Sequence, residues 1–197
     1  MSVRACFFGD SFTNGAGDRD HLGWVGRISA AASARNHDLT TYNLGIRRDT
    51  STDIVDRWKA EAGLRFRPEH DPILVFSYGV NDAVIEDGQM RVVREETMRN
   101  TDKILYYAPQ WAPCIFIGPP PGADQELNER VGFLSAAMQS HCEAAGVGYF
   151  DPFPELLKSS AWMAGVIAGD GVHPDGDGYA VLAELIDQWP DWRRHLP

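Results

Sequence analysis

Four side chains in this sequence are of types that acyl transfer uses, and each stands in a short glycine-containing turn. Ser11 lies in Gly9-Asp10-Ser11-Phe12-Thr13-Asn14-Gly15 and Asn81 in Gly79-Val80-Asn81-Asp82. Asp170 and His173 share Gly169-Asp170-Gly171-Val172-His173-Pro174. A serine hydroxyl is a poor nucleophile until an imidazole accepts its proton, and the imidazole works best when a carboxylate fixes its tautomer. With Asp170 three residues before His173, one turn can bring the carboxylate against the ring and leave the other ring nitrogen pointing outward. The tetrahedral intermediate also needs donors aimed at its oxygen. A backbone amide at Gly45 can approach closely, and Asn81 offers a rigid side-chain amide.

Taken singly, each of these residues has a plainer reading. Ser11 or Thr13 can cap a helix, Asp170 can cap a turn, and Asn81 can stabilise only its own turn. His173, before a proline, can be an ordinary loop histidine. Their order along the chain, each at the end of a different strand or in the last loop, is what argues against chance.

The elements that must position them follow from hydrophobic patterning. Val3–Phe8 is an apolar strand cut off by Gly9, Leu39–Asn43 a second strand closed by Leu44-Gly45, and Pro72–Ser77 the most hydrophobic strand. Pro113–Ile117 and Gly148–Phe150 are a fourth and a fifth. Between them, helical spacing predicts helices over about 23–35, around Ile54, Trp58 and Ala62 with Ser51 or Thr52 as cap, and over about 91–108 on a stripe that starts at Val93. Another carries Leu127, Val131, Leu134 and Met138 behind an Asp124 cap. One short helix near 154–159 and a final helix near 178–189 follow. Alternating strands and helices, with several strands that are nearly continuous apolar runs, predict a parallel sheet covered on both faces. Right-handed crossovers then make a three-layer α/β/α sandwich. In such a sheet the loops carrying Ser11, Gly45, Asn81 and His173 gather at one carboxyl edge.

A length of 197 residues without an evident linker suits a single domain over 1–197. The net charge of −10 argues against a general affinity for nucleic acid or anionic lipid, which need clustered Lys and Arg. No apolar run approaches the roughly 20 residues of a membrane span. The start of the chain lacks a signal peptide's long apolar stretch, so a cytoplasmic location is expected. Cys6, Cys114 and Cys142 are odd in number and far apart, which reads as buried free thiols. The aromatic and basic tail from Trp189 is expected to dock on the body. Oligomeric state is unreadable.

On these four blocks, Gly9-Asp10-Ser11-Phe12, the loop at Gly45, Gly79-Val80-Asn81-Asp82 and Asp170-Gly171-Val172-His173, the chain resembles the SGNH hydrolases, the GDSL esterase/lipase family. The resemblance implies a flavodoxin-like sandwich with a five-stranded parallel sheet and no metal or organic cofactor. It implies Ser11 as nucleophile, His173 as general acid and base, and Asp170 as the orienting carboxylate. It also implies an oxyanion hole of the Ser11 and Gly45 amides and the Asn81 side chain. The expected substrates are small or short-acyl carboxylic esters, cleaved through an acyl-enzyme. Phe12 replaces the leucine of the short family name and is expected to pack inward; Arg47 and Arg48 leave the substrate class open.

Other readings compete. An α/β-hydrolase needs Gly-x-Ser-x-Gly in mid-chain, and Val75-Phe76-Ser77-Tyr78-Gly79 lacks the first glycine. A calcium loop over Asp170, Asp175 and Asp177 lacks the ligand order and terminal glutamate of an EF-hand. A non-catalytic flavodoxin-like module could bind a phosphate or nucleotide at the loop Thr13–Gly17. No Lys or Arg lies between Gly9 and Gly17, and Asp10 and Asp18 would repel an anion.

Overall fold

The structure, a computed structural model, describes residues 2–196. Strand β1 (Ser2–Gly9) runs into the one-turn helix α1 (Ser11–Asn14), and α2 (Gly23–Ala34) leads to β2 (Asp38–Gly45). Then come α3 (Ser51–Arg65), β3 (Asp71–Ser77), the short α4 (Val80–Ala83), a ribbon of β4 (Ile85–Glu86) and β5 (Gln89–Met90), and α5 (Arg94–Tyr107). The chain continues through β6 (Cys114–Ile117), α6 (Gln125–Ala144) and β7 (Gly148–Phe150). Helices α7 (Phe153–Lys158), α8 (Ser160–Ala168), α9 (Gly176–Gln188) and α10 (Pro190–Arg193) close it.

The main sheet has five parallel strands in the order β2-β1-β3-β6-β7. Because successive strand residues point to opposite faces, the paired Phe7-Phe8 of β1 serves two cores. On one face Phe7 meets Trp24 of α2 edge-on, with ring centroids 5.5 Å apart, and joins Ile28, Val75, Ile115 and Ile186. On the other, Phe8 stacks on Phe76 at 5.5 Å among Ile54, Trp58, Ile104 and Met138. Burying each such side chain contributes about 1.5–3 kcal/mol before entropy is charged against it. The expected three-layer α/β/α sandwich with a five-stranded parallel sheet is the observed one. After β1 the chain builds β2 on one side of it and then β3 on the other. The strand order therefore reverses at the carboxyl ends of β1 and β3, where such sheets open a crevice.

Three local expectations are corrected. The cap of α3 is Thr50, not Ser51 or Thr52: Thr50 and Asp53 form a capping box, with the Thr50 amide donating to Asp53 Oδ2 at 2.8 Å. The helix expected over about 91–108 begins at Arg94, and Val93 is its half-exposed cap rather than part of the buried stripe. The preceding β4–β5 ribbon turns at Asp87-Gly88, both with left-handed φ (52° and 79°). That is the backbone an Asp-Gly hairpin adopts. The segment expected to hold one short helix near 154–159 holds two, α7 and α8. Ser159 divides them and caps α8 by accepting from the Trp162 amide at 3.2 Å. Helix α8 carries apolar residues on its exposed face too, Ile167 among them at 68% exposure, so it shows no helical periodicity.

The tail docks as expected: Trp192 of α10 is fully buried, its ring 5.9 Å from that of Phe7. Cys6, Cys114 and Cys142 are buried and free, and burial pushes each thiol up to about 12. Among the described residues no helix is long and apolar enough to cross a membrane.

Candidate active site

The turn after β1 is shaped by contact. A Cβ on Gly9 would stand 2.0 Å from Thr13 Oγ1 and 2.3 Å from the Ser77 carbonyl of β3, so only glycine fits. Asp10 caps α1, its Oδ1 accepting from the Phe12 amide at 2.9 Å. Ser11 then takes the first helical position, at the carboxyl end of β1. Phe12 packs inward at 2% exposure, its ring 6.2 Å from Trp162 and 5.0 Å from His173.

The last loop comes back across this turn. His173 Nε2 lies 2.7 Å from Ser11 Oγ, although 162 positions separate the two residues. His173 Nδ1 lies 2.7 Å from Asp170 Oδ2, and Asp170 Oδ1 accepts from the amides of Val172 at 2.9 Å and His173 at 2.8 Å. Burial alone would push the Asp170 carboxyl up. The amide of His173, its ring and the amide of Val172 outweigh burial and hold it at about 2. Asp170 is therefore ionised at any ordinary pH. A carboxylate on Nδ1 keeps the proton there and leaves the Nε2 lone pair for a hydroxyl.

Gly45 and Asn81 reach the same turn from β2 and α4. A Cβ on Gly45 would meet Asn14 N at 2.3 Å and Asp10 O at 2.8 Å, so the β2 end presses directly against α1. The Gly45 amide donates to Asn43 Oδ1 at 3.0 Å, and Asn43 Nδ2 donates to Thr13 O at 2.8 Å. Asn81 Nδ2 donates to Asp49 O at 2.9 Å and makes a longer contact of 3.4 Å with Asp10 Oδ2. All five residues singled out by sequence, Ser11, Gly45, Asn81, Asp170 and His173, thus converge around α1.

Sequence reasoning passes over the residues beneath them. Asp82, fully buried, accepts from the Ser51 amide at the start of α3 at 2.9 Å and from Thr97 Oγ1 at 2.8 Å, and burial pushes its carboxyl up. Asp10 is buried too; that burial and the nearby charges of Asp82 and Asp49 outweigh the Phe12 amide and push it up to about 7. The spacing of Thr50 and Asp53 is a readable capping signal, whereas nothing local announces that Asp10 and Asp82 are buried. Arg48, at a left-handed φ of 72°, pairs with Glu86 of the ribbon at 2.7 Å on the surface.

Beside His173 and Asp170 lies a cavity of about 650 Å³ whose lining includes Asp18, Asp20, Asp175 and Asp177. Asp175 is committed as the cap of α9, and Asp18 is bonded to Arg27 and the Gly23 amide. Among the described residues no group of three or more His, Cys, Asp or Glu could hold a metal ion.

A family model described as GDSL-like Lipase/Acylhydrolase family matches residues 7–181. Among solved structures the chain is similar to Axe2, an acetylxylan esterase from Geobacillus stearothermophilus, at 19% identity and a TM-score of 0.76, covering 95% of each chain. It is also similar to a lipase/acylhydrolase from Enterococcus faecalis at 22% identity and a TM-score of 0.72, covering 98% of this chain and 97% of that one. A member of the lipolytic G-D-S-L family from Veillonella parvula aligns at 16% identity and a TM-score of 0.71, over 93% and 96% of the two chains. At these identities the likeness is one of fold. Mutants of the Geobacillus esterase described as catalytic replace a serine, an aspartate and a histidine, the last two three positions apart. No curated protein matches the chain.

Proposed function

We propose that this chain, which belongs to the GDSL-like lipase/acylhydrolase family, is a serine esterase that hydrolyses small carboxylic esters through an acyl-enzyme. One observation carries the reading: Asp170, His173 and Ser11 are linked by two contacts of 2.7 Å, within reach for proton transfer. The Asp-His spacing in the mutants of the Geobacillus esterase supports it.

In this mechanism Ser11 Oγ attacks the ester carbonyl while His173 Nε2 takes the hydroxyl proton. Negative charge grows on the carbonyl oxygen. The Ser11 amide faces that charge from the first turn of α1, where amides have no intrahelical partner. The Asn81 N–H that is held only at 3.4 Å adds a donor, and the Gly45 amide joins them by exchanging its bond to Asn43 Oδ1 for the oxyanion. His173 then passes its proton to the leaving alcohol, the C–O bond breaks, and the acyl group stays on Ser11. Water, deprotonated by His173, attacks the acyl-enzyme; the acid leaves and Ser11 recovers its proton. The loop Thr13–Leu22 that follows Ser11 carries few apolar residues to hold a long acyl chain, so short acyl groups are assigned.

Ser11→Ala should lower kcat on a p-nitrophenyl ester by about a thousandfold or more with folding unchanged. Full activity in that variant overturns the assignment. A panel of acyl lengths tests the second part: a strong preference for chains of ten or more carbons would reverse it.

A further inference from the structure

Arg57 belongs to none of the four blocks, yet it stands under both sides of the oxyanion hole. On α3, its side chain is 16% exposed and spends its donors on three acceptors. Nη2 donates to the Gly9 carbonyl at 3.1 Å, Nε to Asp49 Oδ2 at 2.8 Å and Nη1 to Glu61 Oε1 at 3.0 Å. The guanidinium also lies over the Phe8 ring, 5.9 Å from its centroid.

Two of these acceptors lead directly to groups in the site. Gly9 precedes Asp10-Ser11, and its carbonyl also accepts the Ile46 amide at 3.0 Å, tying in the loop after Gly45. Asp49 presents its backbone carbonyl to Asn81 Nδ2 at 2.9 Å. A single planar cation therefore joins the strand end that carries the nucleophile to the loop that orients the asparagine. The fork geometry matters, because its donors are fixed relative to one another and span acceptors that an ammonium cannot reach together. Glu61, one turn further along α3, holds the remaining edge of the guanidinium and fixes its rotation.

We propose that Arg57 is a positioning residue for catalysis, setting where Asn81 Nδ2 stands relative to Ser11. The proposal rests on the reading of Ser11 and Asn81 given above. Donors of an oxyanion hole act only when aimed at the position the charge will occupy. A displacement of about 1 Å can cost up to a hundredfold in rate. A plain ion pair on α3 would instead affect stability and leave turnover per folded molecule unchanged.

A double-mutant cycle on p-nitrophenyl acetate, with melting curves for each variant, separates the two. Arg57→Ala should lower kcat about tenfold to a hundredfold, with KM within about threefold of native. Arg57→Lys should recover only part of this. In an Asn81→Ala background, Arg57→Ala should lower kcat by less than about threefold further, because its effect passes through Asn81. Equal losses in both backgrounds, or a native kcat in Arg57→Ala, overturn the proposal. Should Arg57→Ala fail to fold, Arg57→Lys carries the same cycle with the same criteria. If Ser11→Ala is inactive while Arg57→Ala turns over normally, Arg57 falls alone. If ester cleavage proves independent of Ser11, both readings fall.

Discussion

Rings hold one half of the site, and buried polar groups hold the other. On the histidine side, Phe12 lies against His173 and stacks on Trp162, and Trp162 meets Tyr179 edge-on at 6.0 Å. Two polar tips anchor this stack: Trp162 Nε1 donates to Pro121 O and the Tyr179 hydroxyl to Ala16 O, both at 2.9 Å. On the asparagine side, Asn81 is surrounded by Asp10, Asp49 and Asp82, which are bonded to amides, hydroxyls and Arg57. Packing of rings depends on shape and responds little to pH. Buried carboxyls respond strongly, since desolvation is large and only matched donors offset it. Phe12 and His173 are thus backed by ring packing, and Asn81 is held among buried polar groups.

Breaking the ring side should have the largest effect on stability. Trp162→Ala removes a fully buried indole and should cost about 3–5 kcal/mol, read as a lower midpoint in urea. Trp162→Phe keeps the stack but leaves Pro121 O without its donor, and should cost less. If both lose equally, the hydrogen bond outweighs the packing and the contrast between the halves weakens.

Asn81→Ala strikes the polar side at the chemistry. It should lower kcat by roughly a hundredfold with KM little changed, since a preorganised donor acts mainly where charge develops. A variant that melts early yet turns over normally would leave Asn81 a turn residue, with the oxyanion hole resting on the Ser11 and Gly45 amides.

Thr97→Val sharpens the comparison away from the chemistry. It deletes the hydroxyl that donates to buried Asp82 Oδ1 at 2.8 Å and keeps the volume. A loss of about 1–3 kcal/mol is expected from an acceptor left unsatisfied. A neutral outcome in thermal melts would mean that the Ser51 amide alone satisfies Asp82.

The smallest effect is the most specific to the polar side. Asp10 is pushed up to about 7 in the fold, whereas an unfolded aspartate titrates near 3.9. Between those values the unfolded chain has lost the proton and the folded one keeps it. The stability Asp10 contributes is therefore full below about 4, falls as pH rises, and is lost above about 7. Asp10→Asn keeps an oxygen for the Phe12 amide and removes the titration. Its Tm should exceed the native value by on the order of several degrees at pH 8 and converge on it near pH 4. Parallel pH curves for the two proteins would show that Asp10 is not the buried group responsible.

Much of this was legible in residue order alone. Apolar runs closed by glycine define β1, β3 and β6, and their alternation with helical stripes dictates a parallel sheet. A parallel sheet must gather its loops at one edge, so Ser11, Gly45, Asn81 and the Asp170–His173 loop could be expected together before any contact was known. Patterns of this kind are local: each reports which face of one element is apolar. The tertiary structure decided what those patterns cannot carry. Whether Asp82 meets water depends on α3 and α5 closing over it, and Asp10 is met by Asn81 from 71 positions away. That Arg57 bonds the Gly9 carbonyl depends on segments 48 positions apart in the chain. Helix α8 leaves no periodic signal because its exposed face carries Ala164, Ile167 and Ala168 rather than polar residues that would mark its turns. Desolvation and long-range hydrogen bonding exist only once distant segments meet, and those two effects hold the Asn81 side of the site in place.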